Sequence, residues 1–157
     1  MRKLLILILL SCAMSVVAQD KYDWKQAAVN TAASFAIDAA VTYSLKPLIR
    51  SERPDGSDHH SFPSGHTSLA FTGASVLFKE TRHISPWIGI AGYAAATGIA
   101  IERVHNNHHH WADVLAGAGI GILSTEAGYW LGRKITGKRR RYDVAIGATG
   151  VALWVRL

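Results

Sequence analysis

Apolar positions in this chain come in long blocks, and polar stretches cut the blocks apart. Blocks of this length, without strict alternation, predict helices and not strands. The first, over 24–45, is rich in alanine and predicts a helix that ends before Pro47. Positions 46–63 carry Pro47, Pro54 and Pro63 among Asp, Ser and His residues, which predicts a loop. Proline donates no backbone N–H and restricts the residue before it. A second helix is expected over 64–79, a polar turn over 81–86 and a third helix over 87–103. A second polar loop, 104–108, leads to a fourth helix over 109–135. Beyond the basic run 138–141, positions 142–157 alternate apolar and polar, with Gly147 and Gly150 near the middle. That pattern predicts a short β-hairpin. The fold class expected is all-α, a compact helical bundle with a C-terminal hairpin.

The N-terminal block differs from the rest. Arg2 and Lys3 precede an unbroken apolar run over 4–10, and small residues follow as far as Ala18. A charged start, a short apolar run and small residues at its end are the marks of a secretory signal peptide. The chain therefore divides into a leader, 1–19, one helical domain, 20–141, and a tail, 142–157. A retained anchor would put the end of the bundle that carries the polar loops in the cytoplasm, and Lys79, Arg82, Arg133 and the 138–141 run outside. That arrangement runs against the positive-inside rule, and cleavage removes the conflict. The expectation is an exported chain, periplasmic or at the cell envelope and associated with a membrane.

Composition narrows the partner. With 157 residues there is room for one core. The formal charge of +6 and pI near 9.7 favour an anionic partner. No nucleic-acid module is present, and no basic stripe interleaved with aromatics, so nucleic acid is not expected. The single cysteine, Cys12, excludes an intramolecular disulfide and a cysteine zinc site. Hydrophobic residues make up 49%, with a mean hydropathy of +0.13, above a highly charged soluble domain and below a typical bundle of spanning helices.

The unusual chemistry lies in the two loops. Seven of the eight histidines fall within 58–66 or 105–110. In an up-down bundle alternate loops share one end, which brings Lys46, Arg53, Ser64, His66, Arg103 and His109 together. Three converging cations call for a bound polyanion or nearby carboxylates. Arginine offers a fork of donors that matches phosphate oxygens, and lysine adds a point charge. Ser64 suits a helix N-cap, and Gly65 lets an anion approach the backbone at the positive end of the helix dipole. His109 and Asp113 stand four apart on the expected helix, so they share a face. Asp113 can take the Nδ1 proton of His109 and leave Nε2 free to attack phosphorus. His66 can protonate the leaving oxygen and then activate water. Alone, each signal is ordinary: Pro-Ser-Gly-His is usually a turn, and an i,i+4 His–Asp pair usually a surface pair.

Taken in order, these residues resemble the superfamily of type-2 phosphatidic acid phosphatases, bacterial acid phosphatases and vanadium haloperoxidases. Lys46, six residues, then Arg53-Pro54 matches the first part of that family's signature. Pro63-Ser64-Gly65-His66 matches the second, and Arg103, five residues, His109, three residues, Asp113 the third. The resemblance implies that Lys46, Arg53, Ser64, Gly65 and Arg103 bind phosphate. It makes His66 the acid, His109 the nucleophile and Asp113 the residue that orients it. The chain departs from the family at Glu102, where serine usually precedes the third-motif arginine. A carboxylate there repels phosphate unless it points away or pairs with Arg53 or Arg103.

The leading reading is a phosphatase, without metal or other cofactor, acting on a lipid phosphate or pyrophosphate through a phosphohistidine. Undecaprenyl pyrophosphate, phosphatidylglycerol phosphate, phosphatidic acid, lipid A and soluble esters all present the same phosphoryl group. Three alternatives stand behind it: a soluble non-specific acid phosphatase, a vanadate-dependent haloperoxidase and a periplasmic metal-binding protein built on His105, His108 and His110. Gly117, Gly119 and Gly121 sit inside the fourth helix, where small size allows close helix packing.

Overall fold

The computed structural model of the protein describes residues 22–137, 142–147 and 150–155. The leader-like segment 1–19 and the basic run 138–141 lie outside the described residues. Four helices follow one another: α1 (Trp24–Leu48), α2 (Gly65–Thr81), α3 (Pro86–His105) and α4 (Trp111–Ile135). Strand β1 (Tyr142–Gly147) then pairs antiparallel with β2 (Gly150–Val155), Tyr142 opposite Val155 and Gly147 opposite Gly150. This is the pairing expected of the tail.

Local chemistry sets the helix ends. Asp23 caps α1, its carboxylate accepting from the Gln26 backbone N–H at 3.0 Å. Ser64 caps α2, and Pro86 occupies the first turn of α3, where a missing N–H does no harm. Two expected boundaries shift. α1 continues through Pro47 to Leu48, because a proline in the last turn removes a single hydrogen bond close to where the ladder stops anyway. α4 begins at Trp111 and not at His109. Asp113, in its first turn, accepts the His110 backbone N–H at 2.8 Å and stops the helix there.

α4 runs through the middle and packs along α1 and α2, while α3 rests mainly on α2. The interior is small and hydroxylated where an ordinary core would be aliphatic. On α1 the buried residues are Asn30, Ser34, Asp38 and Thr42, one per turn. They share the interior with Thr67, Ser68, Thr72 and Ser75 of α2 and Ser124 and Thr125 of α4, all buried. Hydroxyls bind across the seam: Thr42 to Ser68 at 3.0 Å, Ser68 to the Asp38 carboxylate at 3.2 Å, and Thr72 to the Gly121 carbonyl at 3.3 Å. Glycines bring the backbones this close. A Cβ on Gly117 would stand 2.6 Å from the Ser64 carbonyl, and one on Gly121 2.8 Å from the Thr72 nitrogen. Gly128 and Gly132 meet α1 at Ser34 and Asn30 in the same way, whereas Gly119 faces open space and takes no part in packing.

Many of the large apolar side chains point outward. Leu48, Leu115 and Leu123 are largely exposed, as are Trp24, Trp87, Trp111 and Trp130. Among the described residues no helix is both long and apolar enough to cross a membrane. The apolar surface belongs to the assembled bundle and not to any one helix.

Candidate active site

α1 ends, α2 begins, α3 ends and α4 begins at the same end of the bundle. A cavity of about 180 Å³ opens there, lined by Tyr43, Lys46, Arg53, Gly65, His66, Leu69 and His109. Of the eight residues singled out in the sequence, five therefore line one pocket. Ser64, Arg103 and Asp113 stand behind or beside it.

His109 is buried, 2% exposed, and lies in the loop just before α4. Its backbone N–H donates to the Arg103 carbonyl at 3.2 Å, which folds the loop back onto the end of α3. Burial, and then the nearby Arg53 guanidinium, lower its pKa to about 4. The ring is therefore neutral across the physiological range and carries a lone pair. The expectation that His109 and Asp113 share a helical face is corrected, since His109 precedes the helix. The two side chains nonetheless meet, with Nδ1 3.6 Å from the Asp113 Oδ2. That spacing is beyond direct hydrogen bonding. The Ser61 hydroxyl fills the interval: it donates to Asp113 Oδ2 and lies 3.3 Å from His109 Nδ1. Sequence reasoning passed over Ser61, whose only signal was its place two residues before Pro63-Ser64-Gly65-His66.

The cations are positioned by backbone and carboxylate partners. Lys46 Nζ donates to the carbonyls of His60 at 2.9 Å and Pro63 at 3.0 Å, which ties the end of α1 to the loop before α2. Burial and then the Arg53 charge hold its pKa below the usual lysine range. Arg53 Nε donates to Asp58 Oδ1 at 2.9 Å and its Nη1 to the His108 carbonyl at 3.1 Å, so one guanidinium joins both loops. Arg103 Nη1 lies 3.4 Å from Glu102 Oε2, and its buried Nε has no partner among the described residues. A buried donor of this kind calls for an acceptor. Glu102 pairs with Arg103 and accepts from the Asn106 side-chain amide, which resolves the question its presence raised.

His66, on the first turn of α2, lines the same cavity as Arg53. Burial, and then the Arg103 charge, lower its pKa from the usual value. Ser64 is fully buried; its hydroxyl caps α2 and shares a 3.0 Å contact with the Thr67 hydroxyl. Its backbone N–H donates to the Asp113 carbonyl at 3.0 Å, which locks the start of α2 to the start of α4. The remaining histidines disperse. His108 pairs with Asp55 at 3.2 Å and His110 with Asp113 at 3.3 Å. Among the described residues no group of three or more histidine, cysteine or acidic side chains is placed to hold a metal ion.

A neutral buried imidazole, a second imidazole and two or three cations around a small cavity can do one kind of work well. They can transfer a group that carries spread negative charge.

Comparison with known proteins points the same way. The chain is 40% identical to the Lipid A 1-phosphatase of Porphyromonas gingivalis over 69% of its length, which is 24% of that protein. It is 26% identical to Lipid phosphate phosphatase 2 of Arabidopsis thaliana over 71% of its length, 52% of that protein. It therefore spans only a quarter to a half of these relatives. In fold it resembles the crystal structure of Aquifex aeolicus LpxE, with a TM-score of 0.60 at 23% identity, covering 78% of this chain and 76% of that one. The profile of the PAP2 superfamily matches residues 4–136, well over half of the sequence and all of the site described above, so the chain belongs to the PAP2 superfamily.

Proposed function

We propose that this chain is a metal-independent phosphatase that cleaves a phosphomonoester or pyrophosphate of a lipid through a phosphohistidine on His109. The observation that carries the reading is a buried, neutral His109 beside Lys46, Arg53 and His66 in one small pocket. With Nδ1 protonated toward Ser61 and Asp113, Nε2 holds the lone pair and faces the cavity. Nε2 attacks phosphorus, the ester P–O bond breaks, and the leaving oxygen takes a proton from His66. His66, now neutral, removes a proton from water as the water oxygen attacks phosphorus. The P–N bond then breaks, inorganic phosphate leaves and His109 is regenerated. Lys46, Arg53 and Arg103, with the N–H groups at the start of α2 around Ser64 and Gly65, balance the charge on the equatorial oxygens.

Two observations favour a lipid. Relatives of the chain are named for lipid phosphates. The bundle also wears an apolar belt with an aromatic ring at each end. Trp24, Trp87 and Trp130 lie at the far end, and Tyr43 and Trp111 at the site end. Trp24 to Tyr43 and Trp111 to Trp130 are each 19 residues apart, about 28 Å of helix rise. That is close to the roughly 30 Å of a bilayer's hydrocarbon, and aromatic rings gather at its two interfaces. The bundle is thus a membrane-associated body, attached to or partly embedded in the cell-envelope membrane, with the pocket at one interface. The leader-like 1–19 supports export. Together these features favour a lipid phosphatase over a soluble acid phosphatase.

The test is release of inorganic phosphate in detergent from phosphatidic acid, a polyprenyl pyrophosphate, lipid A and a soluble aryl phosphate, with EDTA in excess. The expected result is release from at least one lipid, abolished in His109→Ala while the helical circular dichroism stays native. Retention of more than about a tenth of the activity rejects His109 as nucleophile, and loss with EDTA restored by zinc or magnesium rejects metal independence.

A further inference from the structure

We infer that Ser61 is a positioning residue that couples Asp113 to His109 and holds the imidazole in its Nδ1-protonated form. The inference rests on the phosphohistidine reading for its effect on turnover, but its structural content stands on geometry alone.

Asp113 Oδ2 has four neighbours. The His109 Nδ1 is the farthest at 3.6 Å, His110 Nδ1 lies at 3.3 Å, the His110 backbone N–H at 2.8 Å, and the Ser61 hydroxyl is nearest. A hydroxyl has one proton to give and lone pairs to receive. Ser61 spends its proton on Asp113, so the side of its oxygen toward His109, 3.3 Å from Nδ1, can only accept. Nδ1 must then carry the proton, which the Ser61 backbone carbonyl also attracts, and Nε2 the lone pair. A direct Asp113–His109 bond is not available at this spacing, so the carboxylate acts on the ring by polarising the serine.

Ser61 is held for this task from several sides. It is fully buried. Its N–H donates to the Ser51 carbonyl at 2.9 Å, and His60 bridges Ser51. Lys46 grips the carbonyls of His60 and Pro63 on either side of it. Ser64, three residues on, donates to the Asp113 carbonyl. The serine thus sits on a short segment clamped between α1 and α4. A surface loop serine has none of these restraints.

The experiment uses the full chain with 15N-labelled histidine, together with steady-state kinetics on the best lipid substrate. In the wild type the His109 ring nitrogens, assigned by their loss in His109→Ala, should show a protonated Nδ1 and a bare Nε2. Ser61→Ala, which removes the hydroxyl and keeps the Ser61 carbonyl, should shift the ring nitrogens toward a mixed tautomer, lower kcat on the order of 10- to 100-fold and leave KM within about twofold. Ser61→Cys, which keeps a weak donor in a similar volume, should recover part of kcat. Ser61→Ala/Asp113→Asn should be little slower than Asp113→Asn alone, since both changes break one path. Unchanged ring shifts with wild-type kcat in Ser61→Ala overturn the proposal, as do fully additive losses in the double variant. If Ser61→Ala does not fold, equal turnover in Ser61→Cys and wild type with an altered tautomer overturns it as well. A tautomer shift in a chain that releases phosphate from no substrate leaves the positioning role standing and sinks the phosphatase reading instead.

Discussion

Two alanine substitutions two residues apart in α4 should move stability in opposite directions. Gly121 lies against the backbone of α2. A Cβ there would stand 2.8 Å from the Thr72 nitrogen and 3.0 Å from the Phe71 Cβ, with the Ser68 carbonyl closer still. None of these atoms belongs to the free end of a flexible side chain, so relief requires the helices to part. Parting them also strains the hydroxyl bonds that cross the seam, Thr72 to the Gly121 carbonyl at 3.3 Å and Thr125 to the Thr72 carbonyl at 3.4 Å. Overpacking of this sort costs about 1–3 kcal/mol, and contact with main chain places Gly121→Ala toward the upper end. Alanine returns about 1 kcal/mol of helix propensity. The net is a loss of about 2 kcal/mol, or on the order of 4–8 °C in Tm for a chain of this size. Gly119 has nothing within 4 Å of the same position, so Gly119→Ala keeps only the propensity term and should gain about 0.5–1 kcal/mol. Thermal unfolding followed by circular dichroism in one detergent measures both. A Gly121→Ala protein that melts at or above wild type, or two variants that shift the same way, would refute the claim that glycine at this seam sets the α2–α4 distance.

Other outcomes follow from the site. Gly117→Ala places a Cβ 2.6 Å from the Ser64 carbonyl, and should lower turnover as well as stability, read by comparing kcat with Tm. Asp113→Asn should lower kcat about a hundredfold or more with KM little changed, whereas Arg53→Ala should raise KM and weaken inhibition by orthovanadate; equal patterns in the two would refute their separate roles. In pH profiles, kcat/KM should rise as His109 loses its proton near pH 4 and fall as His66 loses its own below the usual histidine range, giving an acidic optimum. Stability should follow the same histidine. Its folded pKa of about 4 lies below the unfolded value of 6.5, so the unfolded chain binds the proton more readily. The contribution is fully present above pH 6.5 and is lost as pH falls toward 4, by up to about 3 kcal/mol. An alkaline optimum, or stability that rises on acidification through this range, would contradict the assignment.

Much of this protein is legible from one dimension. Helices show as apolar blocks, and Pro54, Pro63 and the Ser64 cap mark where they stop, because proline and capping act within a few residues. The pocket's chief residues are legible too. Spacing between Lys46 and Arg53, within Pro63–His66, and from Arg103 to Asp113 is a local property, and up-down connectivity carries it to one end of a bundle. Three features required the tertiary structure. The hydroxylated interior is hidden because alanine and glycine make α1 and α4 nearly equally apolar all round, so no face declares itself until the partner helices are placed. α4 begins at Trp111 because Asp113 turns to the His110 N–H, a choice between two nearby donors that four-residue spacing cannot make. Ser61 joins the site only because Ser51, Lys46 and Asp113, from three separate segments, clamp the loop segment that carries it. A hydroxyl's role depends on which donor and acceptor lie on its two sides, and those neighbours are 48 and 52 residues away in the chain.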